Sequence, residues 1–166
     1  ATIHGGQKTD PAYGAVMPPI YQTSTYSQTS PGIHKGFEYS RTHNPTRQAL
    51  ENSIASIENA KHGLAFGSGL AAIDAIIKLL KPGDEVISTN DLYGGSYWLF
   101  TKIFEDFGIK FHFVGMENFD LMSKYINNNT KLFWVETPTN PMMNVIDIKK
   151  ISKLAKEYKI LLAVDN

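Results

Sequence analysis

Short apolar stretches alternate along most of the chain with stretches in which apolar residues recur every three or four positions. The apolar stretches have the length of strands, and their sequences are LAF, EVIST, KFHFV, KLFWVE and ILLAVDN. The intervening stretches predict helices near residues 70–80, 94–107, 117–127 and 147–158. Strands that alternate with amphipathic helices favour right-handed crossovers. We therefore predict an α/β fold with a mainly parallel sheet that helices cover on both faces.

The regular pattern begins at a well-marked helix start. Asn44 has the side chain of a helix N-cap, and Pro45 suits the first helical position. The preceding residues 1–43 are rich in Gly, Pro, Ser, Thr and Tyr and have no sustained periodicity. We predict an extended N-terminal arm over residues 1–43 and a folded region over residues 44–166.

Composition narrows the class of ligand. The 166-residue chain is within the size range of one domain, and its 16 basic and 16 acidic residues give a formal net charge of zero. Such a balance predicts neither a nucleic-acid partner nor a membrane partner, and it favours a small neutral or zwitterionic ligand.

Cysteine and histidine usage adds further expectations. The chain contains no cysteine, and its five histidines lack the spacing of metal ligands, so no bound metal is expected. No apolar run approaches the roughly 20 residues of a membrane span, and the first residues lack an apolar signal region. These features predict a cytoplasmic location.

Polar residues follow the predicted strands, at the edge where ligands gather in a parallel sheet. They form four groups, which are Gly67-Ser68-Gly69, residues 90–95, residues 136–141 and Asp165-Asn166. Loops begin at strand ends, so a polar residue at any one of these positions needs no functional role. Four loops that bring glycines, an aromatic ring, an amide and acids to one edge nevertheless indicate a common ligand.

The first group has the features of a phosphate-binding turn. A short predicted strand runs through Gly67, Ser68 and Gly69 into a helix, whose N-terminal amides suit an anion. Gly67, Gly69 and Ala72 match the dinucleotide pattern G-x-G-x-x-G/A, and Asp91 lies about 20 residues downstream, where a ribose-binding acid is expected. One hypothesis is therefore an NAD-binding oxidoreductase domain.

A second hypothesis gives a function to residues that an NAD site leaves unused. The amides of Gly69 and Leu70 would hold a phosphate, and the ring of Tyr93 would stack on a planar heterocycle. Asp165, at the end of a buried strand, would pair with a protonated ring nitrogen. These are the requirements of pyridoxal 5'-phosphate (PLP), whose protonated ring accepts electrons from a substrate.

Five motifs occur along the chain in the order EYSRTHNPTR, FGSGLAAI, DLYGGSY, ETPTNPMMNVIDI and AVDN. With them the chain resembles the Cys/Met-metabolism family of PLP-dependent enzymes, which includes cystathionine γ-lyase, cystathionine γ-synthase and methionine γ-lyase. The resemblance extends from the arm to the last residue. It implies the large domain of the fold type I PLP-dependent transferases, with residues 44–166 as the N-terminal part of that domain.

The resemblance also implies which residues form the site. It implies cofactor contacts for Ser68, Gly69 and Leu70 at the phosphate, Tyr93 over the ring, Asn140 at the ring hydroxyl or the substrate carboxylate, and Asp165 at the pyridine nitrogen. Tyr93 is also the implied catalytic residue, since a phenol can assist proton transfer. Tyr39 and Arg41 are expected to reach the phosphate in a neighbouring subunit. The arm would then dock on a partner in a homo-oligomer, expected to be a tetramer built as a dimer of dimers.

One essential residue of the family lies outside these motifs. The family's lysine forms a Schiff base with PLP and follows some tens of residues beyond the AVDN strand. The lysines at positions 149, 150, 153, 156 and 159 belong to a predicted helix and its exit, where they suit a solvated face. We therefore expect the chain to be the N-terminal part of a longer enzyme.

Three positions bear on the reaction. Glu38, before the YSR motif, is similar to an acid by which cystathionine-handling enzymes meet the distal ammonium of the substrate. Synthases that use an acylated homoserine often have arginines where this chain has Thr42 and Trp98. The resemblance thus favours α,γ-elimination on cystathionine, which gives cysteine, 2-oxobutyrate and ammonia. Cystathionine γ-synthase and methionine γ-lyase activities stay open as alternatives.

Overall fold

A computed structural model describes residues 2–166 of the chain. Within these residues the helices are α1 (Pro45–Ile57), α2 (Gly69–Ile77), α3 (Gly94–Leu99), α4 (Phe119–Ser123) and α5 (Ile148–Tyr158). The strands are β1 (Glu85–Thr89), β2 (Lys110–Val114), β3 (Thr130–Glu136) and β4 (Leu161–Asp165). A π-helical turn, Phe100–Phe104, continues directly from α3.

The chain divides into two compact units, with the boundary between Gly67 and Ser68. We call them the N-terminal unit and the C-terminal unit. The sequence predicts a division after residue 43, whereas the N-terminal unit also contains α1, because the preceding segment is hydrogen-bonded to this helix. The Tyr21 amide donates to Thr46 Oγ1 at 2.9 Å, and Ser53 Oγ donates to the carbonyl of Gly5 at 3.1 Å. Docking of the arm on another subunit stays a prediction.

The start of α1 confirms the predicted helix signal. Asn44 Oδ1 accepts a hydrogen bond from the Thr46 amide at 2.8 Å, and Pro45 occupies the first helical position. Upstream of this helix, the described part of the arm contains no continuous helix or strand. Two isolated antiparallel bridges join Thr25 to Tyr39 and Ser30 to Ile33.

The C-terminal unit is built on one parallel sheet with the strand order β2-β1-β3-β4. Val86 of β1 is aligned with Phe111 of β2 and with Leu132 of β3, and Glu136 of β3 is aligned with Asp165 of β4. The central strands β1 and β3 are buried along almost their whole length. Their continuous apolar sequences reflect this burial. The predicted parallel α/β architecture is therefore confirmed.

Apolar side chains fill both faces of this sheet. On one face, Trp134 of β3 packs in a core with Ile77 of α2 and Phe100 of the π-helical turn. On the other face, Phe133 packs in a core with Met122 of α4 and Ile151 of α5. Consecutive strand residues point to opposite faces, which is why Phe133 and Trp134 enter different cores. Helices cover both faces of the sheet, as predicted.

Three predicted elements differ in the structure. Residues 64–66, the LAF stretch, form no strand because they pair with no strand among residues 2–166, and Leu64 and Phe66 are exposed. The helix predicted over residues 94–107 is interrupted by the π-helical turn. The helix predicted near residues 117–127 is reduced to α4, which is followed by turns at residues 124–125 and 128–129.

A polar cluster lies at the start of β1, at the edge of the sheet opposite the carboxyl ends of the strands. Glu85 is buried, its Oε2 lies 2.6 Å from Nε2 of His112, and the same oxygen accepts from Asn127 Nδ2 at 2.9 Å. These hydrogen bonds hold the pKa of Glu85 below its ordinary value, and Lys110 contributes in the same direction, against the opposing effect of burial. Glu85 is thus a buried acid whose charge is compensated.

Candidate active site

The carboxyl ends of the strands border a cavity of about 860 Å³ in the C-terminal unit. Its lining comprises Ser68, Gly69, Leu70, Ile73, Tyr93, residues 136–141, Met143, Asp165 and Asn166. Six residues for which the sequence predicts a site role, Ser68, Gly69, Leu70, Tyr93, Asn140 and Asp165, are among them. The fold therefore brings together residues from loops that are far apart in the sequence.

The first turn of α2 offers hydrogen-bond donors to the cavity. Ser68 is the helix N-cap, and its Oγ accepts from the Ala71 amide at 3.1 Å. Within residues 2–166, the amides of Gly69 and Leu70 have no acceptor. A Cβ atom on Gly69 would meet nothing within 4 Å, so the space beside this turn is open. Two unpaired amides and the positive end of α2 together suit an anion.

The ring of Tyr93 borders the cavity from the loop between β1 and α3. The side chain is 48% exposed, so part of the ring is accessible to a ligand. The ring also lies against Gly95, because a Cβ atom there would be 2.4 Å from Tyr93 Cε1 and 2.8 Å from Leu70 Cδ1. Only glycine allows the ring to lie so close to the start of α3.

Glu136, the last residue of β3, is buried beside Tyr93. The Tyr93 amide donates to both carboxylate oxygens, at 3.0 and 2.8 Å. Burial raises the pKa of Glu136 above its ordinary value; hydrogen bonding from the Tyr93 and Asn140 backbones opposes the shift, and the carboxylates of Asp165 and Asp91 add to it. Three acidic side chains therefore meet at this edge of the sheet.

The loop after β3 brings Asn140 into the cavity lining. Buried Thr139 organises this loop, since its amide donates to the Asn144 carbonyl at 2.9 Å and its Oγ1 accepts from the Asn144 amide at 2.9 Å. The Thr139 hydroxyl donates to Asp91 Oδ2, which also accepts from the Met142 amide at 3.1 Å. Asp91 is thus engaged within the protein, which argues against the role of ribose ligand in the dinucleotide hypothesis.

Asp165 ends β4 next to Glu136 in the register of the sheet. The Thr137 amide donates to the Asp165 carbonyl at 3.0 Å, and Asn166 Nδ2 donates to the Thr137 carbonyl at 2.7 Å. These bonds fix the backbone, while the partly buried Asp165 lines the cavity. A carboxylate in this position suits a positively charged group of a ligand.

Glu38, Tyr39 and Arg41 lie in the N-terminal unit. The guanidinium carbon of Arg41 is 5.2 Å from the centre of the Tyr39 ring, which is a cation–π contact. The Tyr26 amide donates to the Glu38 carbonyl at 3.1 Å and ties this segment to another part of the arm. Glu38 and Arg41 are exposed, so both charges are accessible.

The groups in the cavity match the groups of PLP. A phosphate, a planar ring, a ring hydroxyl and a protonated nitrogen have counterparts in the α2 amides, Tyr93, Asn140 and Asp165. The open space beside Gly69 and the close approach of the ring to Gly95 leave room for such a group. Residues 2–166 contain no cluster of three His, Cys, Asp or Glu able to hold a metal ion, and none of their helices is long and apolar enough to cross a bilayer.

Known proteins are similar to this chain in both sequence and fold. A cystathionine beta-lyase of Coxiella burnetii is 48% identical over 165 residues, which are 99% of this chain and 43% of that protein. A probable cystathionine gamma-synthase of Herpetosiphon aurantiacus is 47% identical over 164 residues, which are 99% of this chain and 51% of that protein. The crystal structure of cystathionine gamma-lyase from Lactobacillus plantarum, complexed with L-serine, has a TM-score of 0.95 and 42% identity, covering 99% of this chain and 43% of that one.

The fold and these relatives define the class as the PLP-dependent enzymes of sulfur amino-acid metabolism. The chain belongs to the family of Cys/Met metabolism PLP-dependent enzymes, whose pattern it matches over residues 1–166. It spans about half the length of these relatives or less. The resemblance inferred from the five motifs is confirmed, and the family's dependence on PLP speaks against the NAD hypothesis.

Three residues of the site have roles that the sequence does not predict. Gly95 makes room for the Tyr93 ring, and the paired glycines of the YGG motif are the only sequence signal for it. Glu136 and Asp91 bind backbone or hydroxyl groups of distant loops. Acids at strand ends are visible in the sequence, but their partners depend on how the loops fold.

Proposed function

We propose that the complete protein is a PLP-dependent carbon–sulfur lyase that cleaves cystathionine by α,γ-elimination. With one water, cystathionine gives cysteine, 2-oxobutyrate and ammonia. The main support is one cavity whose lining includes Gly69, Leu70, Tyr93 and Asp165. The names of the relatives, lyases and synthases of cystathionine, support the substrate class.

The start of α2 would bind the phosphate of PLP. The Gly69 and Leu70 amides supply two donors next to the positive end of the helix. Ser68 Oγ already accepts from Ala71, so its hydroxyl proton stays available for a phosphate oxygen. A dianionic phosphate would thus be held largely by backbone groups whose positions the helix fixes.

The ring of PLP would lie against Tyr93, with Asn140 at the ring hydroxyl or the substrate carboxylate and Asp165 at the ring nitrogen. The Asp165 carboxylate would keep that nitrogen protonated through a charge-assisted hydrogen bond. When bound, PLP supplies a protonated conjugated ring that accepts electrons from the bonds broken at the substrate's Cα. The Tyr93 hydroxyl would hold a proton at the substrate amine or at the leaving sulfur.

The arm would complete the site of a neighbouring subunit. Arg41 and Tyr39 would add a cation and a hydroxyl to the phosphate site, and Glu38 would meet the distal ammonium of cystathionine. The arm exposes apolar side chains that a partner would cover; Tyr13 is 96% and Ile20 77% exposed. The proposed assembly is a homo-oligomer, expected to be a tetramer, and the proposed location is the cytoplasm.

Two other reactions have support from particular relatives. The Coxiella burnetii relative is named a beta-lyase, and β-elimination would cleave cystathionine on the other side of the sulfur to give homocysteine, pyruvate and ammonia. The Herpetosiphon aurantiacus relative is named a probable gamma-synthase, and that reaction would join an acylated homoserine to cysteine. A methionine γ-lyase would leave Glu38 without a role, since methionine has no distal ammonium.

Product analysis tests the proposal and separates the alternatives. The complete protein, loaded with PLP, is incubated with cystathionine, with methionine, and with an O-acylhomoserine plus cysteine, and the products are identified by mass spectrometry. We expect cysteine and 2-oxobutyrate in equal amounts from cystathionine, and a strong loss of both in the Asp165→Asn variant. Homocysteine with pyruvate would establish β-elimination, and formation of cystathionine as the faster reaction would establish the synthase.

A further inference from the structure

Two acidic side chains next to the cavity link the loop after β1 to the loop after β3, one from each side. Asp91, in the loop after β1, accepts at Oδ2 from the Thr139 hydroxyl and from the Met142 amide at 3.1 Å, both in the loop after β3. Glu136, at the start of that second loop, accepts from the Tyr93 amide in the first loop at 2.8 and 3.0 Å. We call Asp91 and Glu136 the carboxylate brace.

Each of the two loops carries one of the residues proposed to bind the cofactor, and both of these residues line the cavity. Tyr93 follows Asp91 by two residues, and Asn140 follows Glu136 by four. Each carboxylate is covalently part of one loop and hydrogen-bonded to the other. The brace therefore couples the backbone of Tyr93 to the end of β3 and the loop of Asn140 to the end of β1.

The electrostatics of Glu136 indicate a role beyond packing. Glu136 is only 5% exposed, Asp165 lies beside it in the sheet, and no cation forms an ion pair with it among residues 2–166. The buried Glu85, by contrast, has His112 and Lys110 as partners. A glutamine at position 136 would accept a hydrogen bond from the Tyr93 amide without placing a charge in the protein interior. A buried carboxylate without a cationic partner destabilises the fold, and such groups are typical of functional sites.

We propose that the carboxylate brace positions Tyr93 and Asn140 relative to each other, so that both reach one PLP ring. This inference rests on the proposed function, in which Tyr93 and Asn140 are cofactor ligands. Asp91 and Glu136 are positioning residues, because each acts through another residue and neither needs to touch the cofactor. Their loss weakens PLP binding by releasing the ligand residues.

The experiment measures whether Glu136 acts through Tyr93. The apo form of the complete protein is titrated with PLP, and the dissociation constant is determined for wild type, Glu136→Ala, Tyr93→Ala and the double variant. We expect each single variant to weaken binding by about 5- to 10-fold and the double variant to bind no more weakly than Tyr93→Ala, within about 2-fold. Glu136→Gln, which keeps one acceptor for the Tyr93 amide, is expected to lie between wild type and Glu136→Ala.

Glu85→Gln is the matched control, because it also removes a buried carboxylate from the sheet. Glu85 is the first residue of β1 and lies at the edge of the sheet opposite the cavity. We expect it to lower thermal stability and to leave the PLP dissociation constant unchanged. If Glu136→Ala does not fold, Asp91→Ala replaces it and Asn140→Ala replaces Tyr93→Ala, since Asp91 is only partly buried. The same non-additive result is expected from that second set.

The outcomes separate the inference from the proposed function. The brace would be overturned if the effects of the two single variants on PLP affinity multiply in the double variant. It would also be overturned by unchanged PLP affinity in Glu136→Ala or Asp91→Ala, or by an equal loss of PLP affinity in Glu85→Gln. Unchanged affinity in Tyr93→Ala would instead reject Tyr93 as a cofactor ligand, which is part of the proposed function. The brace is supported if the double variant binds PLP no more weakly than Tyr93→Ala and Glu85→Gln leaves the PLP affinity unchanged.

Discussion

Replacing Gly95 with alanine tests the position of the Tyr93 ring directly. The added Cβ would be 2.4 Å from Tyr93 Cε1 and 2.8 Å from Leu70 Cδ1, whereas carbon atoms in contact lie about 3.5–4.0 Å apart. The ring must therefore retreat by about 1 Å or more. Because Tyr93 is 48% exposed, it can swing outward, and we expect a folding cost near the lower end of the roughly 1–3 kcal/mol typical of overpacking.

The effect on cofactor binding follows from the lost stacking contact. Aromatic pairs contribute about 0.5–1.5 kcal/mol beyond their buried area, which corresponds to about a 2- to 13-fold weaker dissociation constant. The assay is a PLP titration of the apo form of the complete protein, together with a thermal melt of the same samples. The expected result for Gly95→Ala is weaker PLP binding with only a small change in melting temperature.

Gly94→Ala provides the control for this prediction. Gly94 is the neighbouring residue of the same helix, but a Cβ atom there would meet nothing within 4 Å. The same change of residue type therefore adds helix propensity without pushing the ring. We expect unchanged PLP affinity in Gly94→Ala. Equal affinities of the two variants would refute the assignment of Gly95 as the residue that makes room for the Tyr93 ring.

Four further predictions follow from named residues. Asp165→Asn should fold and bind PLP but lose turnover by at least about 100-fold, because the ring nitrogen loses its charged partner. Subunits with Arg41→Ala, mixed with subunits with Tyr93→Phe, should regain part of the activity, because one site of each hybrid dimer has both groups. In apo protein, the advantage of wild type over Glu85→Gln in melting temperature should shrink as the pH falls, since a lowered pKa stabilises the fold only at higher pH. For Glu136→Gln the trend should be reversed, with wild type gaining as the pH falls, because the Glu136 pKa is raised.

Each of these predictions has a result that would contradict it. Wild-type turnover in a folded, PLP-bound Asp165→Asn protein would remove Asp165 from the site. If mass spectrometry shows subunit exchange while activity stays at the level of the separate variants, the arm does not act in a neighbouring subunit. The pH predictions are wrong if the two glutamine variants differ from wild type by amounts that do not change between about pH 4 and pH 8.

The sheet is largely predictable from the sequence because its central strands are continuous apolar runs. Val86 and Leu132, for example, lie in stretches that are too short for most helices and end in polar residues. Asn44 and Pro45 likewise mark a helix start through local chemistry alone. The LAF stretch around residue 65 has the same apolar character as the true strands but no strand partner in the described chain, and pairing is not a property of a single segment.

The candidate site is predictable only at the level of which loops meet. The carboxyl ends of parallel strands share one edge, so the order of strands and helices along the chain is enough to place Tyr93, Asn140 and Asp165 near each other. The hydrogen bonds from Tyr93 to Glu136 span 43 positions of the sequence. Such contacts depend on strand register and loop conformation together, which is why the carboxylate brace is visible only in the structure.

The central claim is that PLP binds at the carboxyl edge of this sheet, and a crystal structure of the complete protein with PLP tests it most directly. The account predicts phosphate oxygens within about 2.7–3.2 Å of the Gly69 and Leu70 amide nitrogens. It also predicts the cofactor ring against Tyr93 and the ring nitrogen within hydrogen-bond distance of the Asp165 carboxylate. A phosphate bound away from the start of α2, or a ring nitrogen that does not reach Asp165, would contradict the account.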